Sequence, residues 1–327
     1  MRSRPALLFL AALAVGCRTA PDRGEGEGDA SGPLVVFNAG SLAYPVRELL
    51  AEFSRRNPEV RGRSESSGSL EAARKLTELG KIPDVLMVAD YGVIEKLLMP
   101  EHASWYATFA SNAMVLAYTG RSAGAGEINR DNWWRILLRP DVRSGHSNPA
   151  LDPNGYRTLM VFQLAEEHYR EPGLAGRLAR AVPARHIRPK GADLTALLQS
   201  GELDYAWSYR SLAQTAGLRW VELPPEVNLS DPARSAWYAQ AVVRLPGARL
   251  AAADSVEFRG EPILFALTIP LSAPDSGVAR GFARFVLSAD GQEIMRRSGF
   301  IVPPAPRLAG DTLLAGRLLG RRLGSEF

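Results

Sequence analysis

The chain has 327 residues, 46% of them hydrophobic and 23% charged, an ordinary globular balance at a length that suits about two domains, each with its own core. Its net charge of +4 is small, and no Lys/Arg stripe interleaved with aromatics is present, which argues against a nucleic-acid partner. A single cysteine excludes an intrachain disulfide.

In chain order, residues 1–17 read MRSRPALLFLAALAVGC. A basic start, an apolar run from Ala6 to Val15 and a small residue before Cys17 make a secretory signal, too short to span a bilayer as a stable helix. Its end, Ala14-Val15-Gly16-Cys17, resembles a bacterial lipoprotein signal, with Ala14 where leucine is commoner. That resemblance implies that Cys17 becomes the acylated first residue of the exported protein. The other reading is a plain signal peptide with an incidental cysteine, but lipidation explains why an exported cysteine has no partner. Residues 18–33, RTAPDRGEGEGDASGP, hold nothing that could build a core and read as a flexible tether.

Leu34–Phe37 is a short apolar strand that ends in Asn38-Ala39-Gly40-Ser41. Val46, Leu49, Leu50 and Phe53 then recur at helical spacing. Val60 to Glu65 is a poor strand candidate, followed by Ser66-Ser67-Gly68-Ser69 and a helix carrying Leu70, Ala73, Leu76 and Leu79 on one face. Asp84–Ala89 is a strand and Tyr91–Leu98 a helix. This alternation predicts a parallel sheet covered by helices on both sides. Ala113–Tyr118 is another apolar strand, and a second α/β set follows it, with helices at Trp133–Leu138, Tyr156–Tyr169 and Leu194–Leu198 and a strand at Tyr205–Trp207. A late strand (Ile263–Ile269), a helix (Val278–Leu287) and Gly299–Pro303 close the fold. Leu308–Leu323 reads as an amphipathic, arginine-bearing helix or a loose tail.

Two turns, Ala39-Gly40-Ser41 and Ser67-Gly68-Ser69, each stand between a strand and a helix. Ligands of open α/β sheets bind beyond the carboxyl ends of the strands. A helix start there offers backbone N–H groups to an anion, glycine permits close approach, and a serine hydroxyl adds a donor. Either serine alone reads equally well as a helix N-cap; the pair, at matching strand ends, favours an anion cradle. Asn148–Arg157 (NPALDPNGYR), Gly191-Ala192-Asp193 and Ser208-Tyr209-Arg210-Ser211 add three further turns at helix starts, so two lobes can converge on one cleft.

At these residues the sequence resembles the molybdate/tungstate-binding proteins of ABC transporters, in particular their tungstate-type branch. The stretches that carry the resemblance are AGSL (39–42), SSGS (66–69), PDVLMVADY (83–91), NWWRIL (132–137), DPNGYR (152–157), DYAWSYRSLA (204–213), VNLSDP (227–232) and PILFALTIP (262–270). The resemblance implies a two-lobe α/β fold of the type II periplasmic-binding class with two hinge crossovers. Lobe one would comprise 34–115 and 263–305, lobe two 116–262, with 306–327 as a C-terminal extension. It further implies that Ser41 and Ser69 donate to the oxyanion from lobe one, and that Asp152, Gly191, Ala192, Ser208 and Tyr209 line the site from lobe two. Asp152 is then a candidate direct ligand of the metal centre. The departure is Ser208, where the branch carries a glutamate, which leaves the choice between molybdate and tungstate open. The implied protein is a monomer with no cofactor, anchored to the membrane through Cys17, that hands its ligand to an ABC permease and its cytoplasmic ATPase.

Rival ligands of the same fold are sulfate, phosphate and ferric iron. Iron calls for several Tyr, His or carboxylate ligands, and His102, His146, His168 and His186 form no ligand-spaced pair and read as mostly solvent-facing. Phosphate stays open because a carboxylate such as Asp152 can accept its remaining proton. An enzyme is disfavoured by the lack of GxSxG, HExxH or GxxxxGK[ST] elements. A sensor that presents its loaded form to a receptor is the remaining class. Trp133, Trp134 and Trp207 read as packing residues.

Overall fold

The computed structural model describes residues 31–247, 254–274 and 276–319; the signal segment, Cys17 and tether residues 18–30 lie outside them. The chain begins with β1 (Gly32–Ala39), α1 (Ala43–Arg56), β2 (Val60–Ser67), α2 (Ser69–Thr77), β3 (Val85–Val88), α3 (Tyr91–Leu97) and β4 (Trp105–Ser111). A second set follows: β5 (Met114–Tyr118), α4 (Trp133–Leu137), β6 (Ser144–Ser147), α5 (Pro153–Tyr169), α6 (Leu174–Arg180), β7 (Ile187–Arg188), α7 (Leu194–Ser200), β8 (Tyr205–Tyr209), α8 (Arg210–Thr215) and β9 (Arg219–Glu222). The chain continues through α9 (Ser235–Tyr238), β10 (Val242–Pro246), β11 (Ser255–Arg259), β12 (Leu264–Thr268), α10 (Ser276–Val286), α11 (Ala289–Arg297), β13 (Leu308–Gly310) and α12 (Thr312–Leu318).

Two sheets result. The first runs β13-β4-β12-β3-β1-β2 and the second β7-β6-β8-β5-β9. In the first, β1 pairs in parallel with both β2 and β3. Strand β3, Val-Leu-Met-Val, is buried throughout, as a strand covered on both faces must be. Helix α1 turns Val46, Leu49, Leu50 and Phe53 inward, and Phe53 meets Phe282 of α10 edge-on with ring centroids 5.4 Å apart. The second sheet packs on Trp133, Phe162 and Trp207, with Trp207 centroids 5.3 Å from each of the other two. The tryptophans are therefore packing residues, as their composition suggested.

The chain passes between the sheets twice, at Asn112-Ala113 and at Gly260–Ile263. The first passage is tied to lobe two by Asn112 Nδ2, which donates to Ser211 Oγ at 2.7 Å. The second is tied by Ile263 N–H, which donates to the Leu229 carbonyl at 2.9 Å.

Three features differ from the sequence pattern. Strand β2 forms over eight residues although its polar run reads poorly as a strand; it is the sheet's edge, where one face needs no apolar alternation. The C-terminal segment does not start as a helix: Leu308–Gly310 pairs antiparallel with β4, Gly310 takes φ 80°, and Asp311 caps α12 by accepting from Leu314 N–H at 2.9 Å. The antiparallel pair β10–β11 escaped the reading, because neither short segment stands out from its loops. One histidine also departs from expectation: His146, on β6, is 3% exposed, and burial holds its imidazole below the ordinary value.

Candidate functional site

Five strand ends meet where the two sheets face each other. β1 and β2 are in parallel register with Ala39 opposite Ser67, so the turns at Gly40-Ser41 and Gly68-Ser69 lie side by side. In the second sheet, β6 is parallel to both β7 and β8. The loop to Asp152, the turn at Lys190–Asp193 and the Ser208-Tyr209 corner therefore leave that sheet at the same end.

Lobe one supplies small donors. Ser41 lies partly exposed in a tight turn, Gly40–Leu42. Ser69 is fully buried, and its Oγ accepts from Ala89 N–H at 3.0 Å, which leaves the hydroxyl's own proton to donate. Buried Asn38 donates through Nδ2 to the Ala39 carbonyl and Ser66 Oγ, both at 2.8 Å. Its Oδ1 has no partner among the described residues.

Lobe two is drawn tightly onto these turns. Leu70 and Glu71, in the first turn of α2, donate their N–H groups to the Leu151 carbonyl at 3.1 and 3.2 Å. These amides, expected to be open to a ligand, are thus used between the lobes in the closed arrangement. A Cβ on Gly68 would sit 2.1 Å from the same carbonyl oxygen. Lys190 lies across Gly40, where a Cβ would come within 2.9 Å of its Cδ, and its Nζ donates to the Ser66 carbonyl at 3.3 Å.

Asp152 is buried, and its Oδ2 accepts from Gly191 N–H at 2.8 Å. Burial pushes its carboxyl up to about 6, against the pull of the Ser147 hydroxyl and the Gly191 amide. Tyr209 is buried at the end of β8, its hydroxyl accepting from Arg157 Nη1 at 2.8 Å. The same guanidinium nitrogen donates to the Ala89 carbonyl at 2.7 Å, and Nη2 lies 3.0 Å from Asp90 Oδ2. Tyr156 also donates to that carboxylate. Burial opposes Arg157's charge, but Tyr209 and Asp90 hold its guanidinium above the ordinary value.

Ser41, Ser69, Asp152, Gly191, Ala192 and Tyr209 thus border one seam between the lobes. Ser208 is buried beside it, but its hydroxyl is turned to the Tyr209 carbonyl at 3.1 Å. Sequence reasoning missed Asp90, Arg74 and Lys190, and gave no role to Tyr156 and Arg157 within DPNGYR. No local signal marks a residue whose partner lies on the other lobe. Among the described residues no group of three or more His, Cys, Asp or Glu side chains is placed to hold a metal ion.

The model for the family described as "bacterial extracellular solute-binding protein" matches residues 34–301. The chain belongs to that family. This solute-binding protein is 34% identical over 327 aligned residues to the molybdate/tungstate-binding protein WtpA of Pyrococcus abyssi, covering 91% of this chain and 93% of that one. It is 43% identical over 297 residues to an uncharacterized solute-binding protein of Petrotoga mobilis, covering 88% and 92%. Among solved structures it resembles the periplasmic molybdate-binding protein of Azotobacter vinelandii (TM-score 0.59, 17% identity, 83% and 99% covered). It also resembles the sulfate-binding protein SubI of Mycobacterium tuberculosis (TM-score 0.58, 13% identity, 88% and 96% covered). The fold is the two-lobe α/β arrangement of type II periplasmic binding proteins, and the family is one of solute carriers, not enzymes. Among the described residues of this solute-binding protein, no helix is long and apolar enough to cross a membrane.

Proposed function

We propose that this protein captures a tetrahedral oxyanion, molybdate or tungstate, between its lobes and hands it to an ABC permease, from a position anchored through lipidated Cys17. The observation that carries this reading is the convergence of five strand ends, with the serines Ser41 and Ser69 and the turn at Ala192 meeting at one closed seam. Such a site replaces the hydration of an anion by hydroxyl and N–H donors. The names carried by the relatives in Pyrococcus abyssi and Thermococcus kodakarensis support the choice of anion. Ser208 stands where the resemblance implies glutamate, so Asp152 is the lobe-two carboxylate of the proposed site.

Calorimetric titration with molybdate, tungstate, sulfate and phosphate tests the reading. Molybdate and tungstate are expected to bind tightly and sulfate far more weakly; silence from the first two overturns it. Ser41→Ala and Ser69→Ala are each expected to weaken binding by about 1.5–3 kcal/mol, the range of a hydrogen bond to a charged group. Unchanged affinity in both variants removes these serines from the site. Asp152 favours one alternative, hydrogen phosphate, whose proton a carboxylate can accept; the same titration separates it.

Asp152 also sets a pH dependence. Its carboxyl lies above the usual carboxylate range, at about 6, so the folded protein holds this proton more tightly than the unfolded chain. The corresponding stability is fully present below the unfolded value and is lost as pH rises through about 6. A neutral carboxyl admits a dianion, so affinity is expected to fall above that pH by up to about tenfold per unit. Asp152→Asn should flatten the profile. An unaltered slope in that variant means that the carboxyl does not face the bound anion.

A further inference from the structure

Helix α2 carries Ser69 at its start and Arg74 five residues further on, and Arg74 is 4% exposed. Among the described residues its guanidinium forms no hydrogen bond with the donors proposed for the anion. Instead Nη1 donates to the Ala150 carbonyl, Nη2 to the Pro246 carbonyl at 2.9 Å, and Nε and Nη2 to the Gly247 carbonyl at 3.3 and 3.2 Å. All three acceptors belong to parts of the chain outside the first sheet. Ala150 lies in the loop after β6. Pro246 ends β10 and Gly247 follows it; Val242 of that strand exchanges two hydrogen bonds with Gln163 of α5, at 3.0 and 2.9 Å.

The grip of α2 on that loop is continuous. Arg74 holds the Ala150 carbonyl while the Leu70 and Glu71 amides hold the next one, Leu151. The residue after it is Asp152, which in turn holds Gly191. The peptide gripped by α2 therefore stands between the proposed lobe-one donor Ser69 and the proposed lobe-two residues Asp152 and Gly191. A planar fork with donors in three directions is needed to reach three carbonyls at once; an ammonium group on a flexible stem does not reproduce it. Burial pulls the Arg74 guanidinium below its ordinary value, so this cation has left water and depends on those carbonyls. Opening of the lobes returns both to water.

We propose that Arg74 is a positioning residue that sets how long the closed protein retains its ligand. The inference rests on the reading that the cleft closes over an oxyanion. An open protein meets the anion before Arg74 reaches its acceptors, so the residue acts on dissociation and leaves association nearly unchanged.

The test uses the whole chain with molybdate as the probe, comparing wild type with Arg74→Met and Arg74→Lys. Stopped-flow kinetics are expected to show dissociation faster by about ten- to a hundredfold in Arg74→Met, with association within about twofold, because the lost bonds are charge-assisted ones. Arg74→Lys should rescue little of this, since it restores the charge without the fork. Full rescue by lysine, or an unchanged dissociation rate, overturns the proposal. Amide exchange at Leu70 and Glu71 gives a second readout that needs no ligand. If wild type binds no molybdate, the function reading fails, and exchange alone decides the grip: faster exchange in unliganded Arg74→Met upholds it, and equal exchange ends it. Equal melting temperatures of the unliganded proteins would show that the fold is intact in the variants.

Discussion

Gly68→Ala is expected to abolish tight oxyanion binding while leaving each lobe of the unliganded protein folded. The backbone at Gly68 has φ −64° and ψ 147°, a conformation any residue adopts without strain. Nothing in the first sheet therefore demands glycine. The demand comes from the other lobe: an added Cβ would lie 2.1 Å from the Leu151 oxygen, 2.7 Å from the Leu151 carbonyl carbon and 3.1 Å from Asp152 Cβ. Two of those atoms are backbone, gripped by α2 and unable to swing away as a side-chain tip would. A methyl group at Gly68 thus props the cleft open. Without closure the anion keeps only lobe-one donors. Losing two hydrogen bonds from lobe two costs roughly 3–6 kcal/mol, about two to four orders of magnitude in affinity. Calorimetry and a melting curve together check this. Wild-type affinity in Gly68→Ala would mean that the ligand-bound protein does not bring Leu151 onto α2. Gly155→Ala is the useful contrast. There an added Cβ meets Ser147 and Asn148 backbone, 2.3 and 2.7 Å away within lobe two itself, so that variant should lose stability with or without ligand.

The contrast also marks what the sequence discloses. The AGS and SGS turns were legible because their signal is local: a strand, a glycine, a hydroxyl and a helix start in succession. The parallel pairing of β1 with β2 and β3, which sets Ala39 beside Ser67, followed from the β-turn-α alternation, but the sheet is mixed, since β12 and β13 pair antiparallel with their neighbours. Contacts between lobes were not legible. Arg74 looks like any charged residue on an amphipathic helix, and Asp90 like a helix cap, which it also is, accepting from Gly92 N–H at 2.8 Å. Their decisive partners are 76 residues away in one case (Ala150) and 66 in the other (Tyr156), and no periodicity spans such a gap. The β10–β11 pair was missed for a related reason, since two short segments gain strand character only by pairing with each other. Amides at the start of α2 read as donors to an anion, but their acceptor in the closed form is a carbonyl of the opposite lobe, Leu151.

Arg157→Met is expected to produce the largest loss of stability among single substitutions at the seam. Arg157 is 2% exposed and spans from α5 to Ala89 and Asp90 of the other lobe while supporting the Tyr209 hydroxyl. Methionine fills much of the same volume, so the loss is electrostatic more than steric. Asp90 is also 2% exposed and would keep only the Tyr156 hydroxyl and the Gly92 amide. Removing one partner of a buried ion pair in this way costs roughly 3–5 kcal/mol. Glu261, on the second passage between the lobes, makes the cost depend on pH. Burial, and then the nearby Asp90 charge, push its carboxyl up to about 7, while Tyr91 donates to it and Arg157 helps to hold it down. A carboxyl raised above its unfolded value contributes stability at low pH that is lost as pH rises through the folded value. Loss of Arg157 removes one of the groups holding Glu261 down, so its folded value rises further. The variant's deficit relative to wild type should therefore be smaller at about pH 5 than at about pH 8. Pairing the change with Asp90→Asn removes the stranded charge, and a double-mutant cycle should recover a large part of the loss. Denaturant melts of the four proteins at the two pH values read all of this at once. Strict additivity would show that Asp90 and Arg157 do not stabilise each other across the seam, and a deficit that grows on acidification would show that Arg157 does not hold Glu261 down.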